Sequence, residues 1–251
     1  MRIEQAVFTS IRGSRMAGYQ LAAQSKGISD ALAQELTAWG PAHDSLWETH
    51  EGSRSVNFHP VTTGDYCLSV TTLAGAEYSG RGGGRVYTQL FLLPAAALVR
   101  VANDPFLVLR ALAASGRLVV LDQIPESLPT IPLVGKSEPP PDLLAHPSLQ
   151  EIGLHALDDI SHALAISPSV AVVTRHPLEP LFQALLHTFP FDSRLSLSFT
   201  TGLKESPRRP FKLLHLPDDP SVVRHTQRLN GCKVIDLTAK VRESSGLAAG
   251  H

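Results

Sequence analysis

Cysteine is scarce: Cys67 and Cys232 are the only two in 251 residues. That excludes a disulfide framework and any cysteine-rich metal site. The two read as separate reduced thiols in a cytoplasmic protein. Neither sign of charge dominates, with 22 Lys+Arg against 23 Asp+Glu and a net charge of -1. The basic footprint of a general nucleic-acid binder is missing, so nucleic acid is not an expected partner. No apolar run approaches the roughly 20 residues that span a bilayer. The opening Met1 to Thr9 lacks the apolar centre of a signal peptide. No membrane partner is expected either. What is present suffices for a core, since 43% of residues are hydrophobic and only 18% charged.

Ile3 to Ser10 alternates loosely and reads as a first strand. Gly13 and Gly18 bracket a loop next to Arg12 and carrying Arg15. Asp30 to Trp39 reads as a helix, with Ser29 as its N-cap and Leu32/Leu36 as an i,i+4 pair. Val56 to His59 and Tyr66 to Leu73 read as strands joined by Thr62-Thr63-Gly64-Asp65. Tyr87 to Leu93 is expected to pair antiparallel with the second of them, and Leu90 to Leu93, apolar on both faces, to lie centrally. Asp104-Pro105 opens a further helix that Gly116 stops.

Residues 125–148 are rich in proline, including Pro139-Pro140-Pro141, and read as a linker or surface crossing. Beyond them come a helix from Leu149 to Leu164, a strand at Val170 to Thr174 and a helix at Leu178 to Thr188. Strands follow at Leu195 to Thr200, Phe211 to Leu216 and Lys233 to Leu237, the first alternating most cleanly. Hairpins early and alternating elements late give an α+β class, with a mixed, largely antiparallel sheet and flanking helices. The expected regions are 1–124, the crossing 125–148, and 149–251.

The densest chemistry lies in Tyr78-Ser79-Gly80-Arg81-Gly82-Gly83-Gly84-Arg85. Glycine lets another group approach the backbone, and arginine offers a planar fork of donors to oxyanions. No Lys-Ser/Thr trails the glycines and a strand follows them, so neither a P-loop nor a dinucleotide fingerprint fits. The segment reads as an anion- or partner-binding loop, or as a plain hairpin turn. Arg208-Arg209 within Ser206-Pro207-Arg208-Arg209-Pro210 is a second basic loop, and Arg12 with Arg15 a third. Converged, these would meet a phosphate or an acidic protein surface; dispersed, they only solubilise.

Catalytic motifs are sparse. Ser79 lacks the Gly-x-Ser-x-Gly frame. The eleven histidines show no HExxH spacing. His155 and His162, beside Asp158 and Asp159, read as a solvated stripe ahead of a metal site. Asp218-Asp219 between Pro217 and Pro220 reads as a turn. No cofactor and no catalytic residue is expected.

Three stretches together resemble a family. Gln5-Ala6-Val7-Phe8-Thr9-Ser10, then Gly18-Tyr19-Gln20 and Ser25-Lys26-Gly27-Ile28-Ser29, are similar to the start of bacterial "GTPase-associated" adaptor proteins. Ser79-Gly80-Arg81 leading to Tyr87 through Leu93 is similar too, with Gln89 where relatives tend to carry histidine. So is Phe189-Pro190 through Arg194 and Ser198-Phe199-Thr200-Thr201-Gly202. The resemblance implies a non-enzymatic interaction or adaptor module, with a GTPase as the plausible protein partner, in a bacterial NTP-dependent defence (conflict) system. The competing expectation is a hydrolase or transferase acting on a phosphorylated ligand held by the arginine-bearing loops.

Overall fold

The computed structural model describes residues 2–12, 17–76, 84–132, 146–209, 211–228 and 231–238. The chain divides into two compact units, 1–138 with 202–210, and 139–201 with 211–251.

The first unit begins with β1 (Arg2–Arg12) and β2 (Ala17–Gln24), followed by α1 (Asp30–Trp39), β3 (Arg54–Pro60), β4 (Tyr66–Ala76) and β5 (Gly84–Leu93). Then come α2 (Ala95–Val99), α3 (Pro105–Ala114) and the short β6 (Ile131–Pro132). The strands run in the order β3-β4-β5-β1-β2, every pairing antiparallel, and β6 pairs with the start of β1. β5 lies between β4 and β1, as its doubly apolar run requires.

β2 is a strand that the glycine-bracketed reading missed, because its alternation is broken. Val7 of β1 faces Ala23 while Phe8 faces Leu21, so Ala22 is an extra, bulged residue. Tyr19 and Leu21 therefore pack with Phe8, whereas Ala23 crosses to the face of Val7 and Tyr87.

On one face of this sheet α1 buries Leu32 and Leu36 against Ala6, Phe8, Cys67, Leu90 and Leu92. Ser29 caps the helix, its Oγ accepting from Leu32 N at 3.3 Å. Gly40 ends it hard against the sheet, because a Cβ there would run into the Phe8 ring. That ring is only 3% exposed and has no open side to swing into. Gly40→Ala is expected to lower stability by about 2 kcal/mol through overpacking, read as a shift of the urea midpoint at unchanged slope. An unchanged midpoint would mean the ring yields freely.

The same face holds a polar ladder away from α1. Ser55, Asn57, Ser69, Thr71 and Thr88 are all buried. Ser55 sits opposite Thr71, Asn57 opposite Ser69, and Thr71 opposite Thr88.

The second unit contains α4 (Pro147–Ile152), α5 (Leu154–Ile166), β7 (Ser169–Val173), α6 (Leu178–Thr188), β8 (Phe199–Thr200), β9 (Leu213–Leu216), α7 (Pro220–Arg228) and β10 (Cys232–Asp236). Its strands lie in the order β10-β7-β9-β8, all parallel. The antiparallel and parallel sets together make the mixed α+β class.

Two expectations need correction here. The helix read from Leu149 to Leu164 is two helices, broken where Gly153 takes φ 81. Leu195 to Thr200 is not one strand. Phe191–Ser196 forms a 3-10 helix, and only Phe199–Thr200 pairs. Leu197 through Thr200 are buried in succession, so the apparent alternation of Leu and Ser did not mark two faces. Asp218-Asp219 turns the chain as expected, Asp219 N donating to the Pro217 carbonyl at 2.7 Å. Asp219 accepts from the backbone N and the hydroxyl of Ser221, both at 2.7 Å, and so caps α7.

Candidate functional site

The strand directions decide where the arginine-bearing segments attach. β1 ends at Arg12 and β2 starts at Ala17, while β4 ends at Ala76 and β5 starts at Gly84. β1 and β5 are antiparallel with Thr9 opposite Tyr87, so all four of these ends lie at one end of the sheet. β3 starts there as well, since Arg54 pairs with Thr72 near the end of β4. Segment 202–210 attaches at the same place. A Cβ on Gly202 would lie 3.2 Å from the Arg54 carbonyl oxygen and from Ser55 Cβ. β3 and β1 are three strand spacings apart, about 14 Å. One end of the first unit thus anchors all three basic segments across that width.

The individual residues differ. Arg15, Arg81, Gly82 and Gly83 lie outside the described residues, and Arg12 is placed only by its backbone opposite Ala17. Gly84 opens β5 opposite Ala76, where a Cβ would run into the Leu73 side chain. Arg85 is half-buried, and its Nε donates to the Ala74 carbonyl at 3.1 Å, folding it along the hairpin. Arg208 is exposed.

Arg209 departs from the picture of a surface cation. It is only 8% exposed. Its Nη2 donates to the Lys204 carbonyl at 3.3 Å and its Nε has no partner. Burial, and then the neighbouring Arg208 charge, pull its pKa below the ordinary arginine value. Segment 202–209 is held by a bridge between Leu46 and Leu203, by Trp47 N to Gly202 O at 3.0 Å, and by Lys204 N to Ser45 O at 2.7 Å. Lys204 Nζ lies 5.6 Å from the centroid of the Trp47 ring, within cation–π range. The sequence marked Arg208-Arg209 but gave no sign that Lys204 and Trp47 join them, nor that Arg209 is buried.

The most strongly shifted ionisable groups lie elsewhere, under α1. His59 is 2% exposed and stacks on Trp39, with ring centroids 3.8 Å apart and planes 5° apart. Burial lowers its pKa to about 4, opposed by its bond to the Pro60 carbonyl and by Glu35. Cys67 pairs across the strands with His59, and burial pushes its thiol pKa up. A neutral imidazole beside a protonated thiol is core packing, the reverse of an activated nucleophile. Among the described residues no group of His, Cys, Asp or Glu could hold a metal ion. His155, Asp158, Asp159 and His162 are exposed on α5. Both cysteines are buried and not bridged to one another.

The second unit carries one arrangement that the sequence did not reveal. The adjacent strands β7 and β9 are followed by α6 and α7, which lead to opposite edges of the sheet. Their carboxyl ends therefore flank a topological switch point. Arg175 donates Nε and Nη2 to Asp218 Oδ2 there, at 3.0 and 2.6 Å. The two side chains close on each other.

Residues 2–131 match the family described as GTPase-associated protein 1, N-terminal domain type 2, or GAP1-N2. The chain belongs to this family. The match ends on Ile131, where β6 closes against Ile3 of β1, so the GAP1-N2 region coincides with the five antiparallel strands, α1 to α3 and the closing strand. Segment 202–210 lies beyond the matched span yet packs within the same unit. The family is a GTPase-associated one by description. Among curated proteins none matches the chain. No described helix is long and apolar enough to cross a membrane.

Proposed function

We propose that the chain is a non-enzymatic interaction module which binds a GTPase through the basic end of its GAP1-N2 unit, as part of a cytoplasmic bacterial NTP-dependent defence system. The observation that carries the reading is the attachment of three arginine-bearing segments at one end of one sheet in a GTPase-associated family. An acidic face on the partner would complement it and speed encounter. The binding reading is favoured over a hydrolase or transferase because the shifted histidine and thiol are enclosed in the core, away from the basic end.

The test is complex formation with a bacterial GTPase offered as the partner. Arg81→Glu combined with Arg208→Glu should weaken the complex at least about tenfold, and GTP turnover by the partner should be the same with and without the chain. Undiminished binding by the double variant would remove the basic end from the account. Faster turnover that Arg81→Ala abolishes would instead make Arg81 a group acting on nucleotide phosphates.

A further inference from the structure

Buried guanidinium groups are ordinarily paired, because an uncompensated charge in a poorly solvated site is costly. Arg209 is 8% exposed, its Nε is unpartnered, and its one side-chain bond goes to the neutral carbonyl of Lys204. Among the described residues no ion pair is seen at Lys204, Arg208 or Arg209. Within 202–209 the charges are Lys204, Arg208 and Arg209 against Glu205 alone, an excess of two positive charges.

The loop is also built rather than loose. Arg209 N donates to Ser206 O at 2.9 Å and closes a tight turn around Pro207 and Arg208. Arg208 N donates to Ser206 Oγ at 3.3 Å. The Trp47 ring holds Lys204 over its face. Three cations thus lie on one pinned loop, and the side chain of one of them is largely buried.

We propose that Lys204, Arg208 and Arg209 form a binding site for a dianionic phosphate group. Phosphate fits better than a single carboxylate because its charge at neutral pH, about -1.5 to -2, matches the local excess. Its several oxygens also take the arginine fork in bidentate fashion. Arg209 supplies the buried anchor and shifts to turn its donors onto the anion, while Arg208 and Lys204 close over it from the solvent side. This deepens the reading of the basic end as an anion-gripping surface and rests on it.

The experiment titrates the whole chain with sodium phosphate, and separately with a nucleoside triphosphate, following the thermal midpoint and binding heat at fixed ionic strength. Sodium acetate serves as the carboxylate control. Phosphate should raise the midpoint and acetate should not. Tighter binding of the triphosphate would identify a nucleotide as the source of the phosphate, and equal binding the free anion. Arg208→Gln, an exposed position that leaves the fold intact, should weaken phosphate binding about tenfold. Lys204→Gln should weaken it to a smaller degree, and Arg209→Lys, which keeps the charge but loses the fork, should weaken it at least as much as Arg208→Gln. Phosphate acting no differently from acetate, or binding untouched by Arg208→Gln, would overturn the proposal. If phosphate fails while the GTPase still binds, this site falls and the interaction reading stands. If phosphate binds and no GTPase does, the reverse holds.

Discussion

Acidification from pH 7 to pH 4.5 should destabilise this protein by most of about 3 kcal/mol through His59 alone. The imidazole has a pKa of 6.5 when the chain is unfolded and about 4 when folded, because burial against Trp39 disfavours the cation. The group is neutral in both states above pH 6.5, so its contribution is fully present there. As pH falls below 6.5 the unfolded chain takes up a proton that the folded chain refuses, and stability is lost until pH 4 is passed. At 1.36 kcal/mol per pH unit that interval amounts to about 3 kcal/mol. Glu35 faces the same pocket and moderates the effect by favouring the charged ring, while Cys67 stays protonated throughout. Urea titrations at the two pH values measure the loss. His59→Phe, which keeps an aromatic ring over Trp39, should remove that part of the slope. An identical slope in the variant would show that the acid sensitivity lies with other groups.

Asn57→Leu should cost about 3 kcal/mol, although the substitution is toward the apolar. Asn57 is 1% exposed and sits in the middle of the polar ladder. Its Oδ1 accepts from Ser55 Oγ at 2.7 Å, and its Nδ2 donates to Ser69 Oγ at 3.2 Å and more distantly to Thr71 Oγ1 at 3.5 Å. Removing the amide takes one hydrogen-bond partner from each of two buried hydroxyls, at about 1–3 kcal/mol each, less the gain from burying a leucine. The register of β3 on β4 is fixed by the same bonds, since a one-residue slip would turn Asn57 out of reach of Ser69. The midpoint of denaturant unfolding reads the loss. A change under about 0.5 kcal/mol, the range of an ordinary surface substitution, would mean that the ladder is satisfied without its central residue.

Local signals carried much of the fold. Ser29 before Asp30, and Asp104 before Pro105, name helix starts because capping is decided by side chains within three residues of the site. The β4–β5 hairpin and the central place of β5 follow from period and from Leu90 to Leu93 being apolar on both faces. What failed was set by partners distant in sequence. The Ala22 bulge exists because β2 must match β1, and the bulge scrambles the alternation that would have announced a strand. Leu197 to Thr200 are buried on every side, so period could not separate strand from 3-10 turn.

The candidate site divides along the same line. Which residues are arginine was plain from the sequence. That their anchors share one end of the sheet depends on strand direction, and the buried Arg209 lies on a loop tied by Leu203 and Lys204 to Ser45 to Trp47, far away in sequence. Neither is encoded within a short window. The burial of His59 and Cys67 beneath α1 likewise comes from tertiary packing, and it moves both away from the chemistry their residue types invite.

On the proposed reading, the basic end of the GAP1-N2 unit grips an acidic GTPase surface without performing a reaction. Calorimetric titration of the partner GTPase into this chain at about 0.05 M and about 0.2 M salt decides this. Screening shortens the reach of exposed charges from about 14 Å to about 7 Å over that range. The complex should lose affinity severalfold at the higher salt and lose more with Arg208→Glu. A complex of equal strength at both salt concentrations, or none at either, would contradict it.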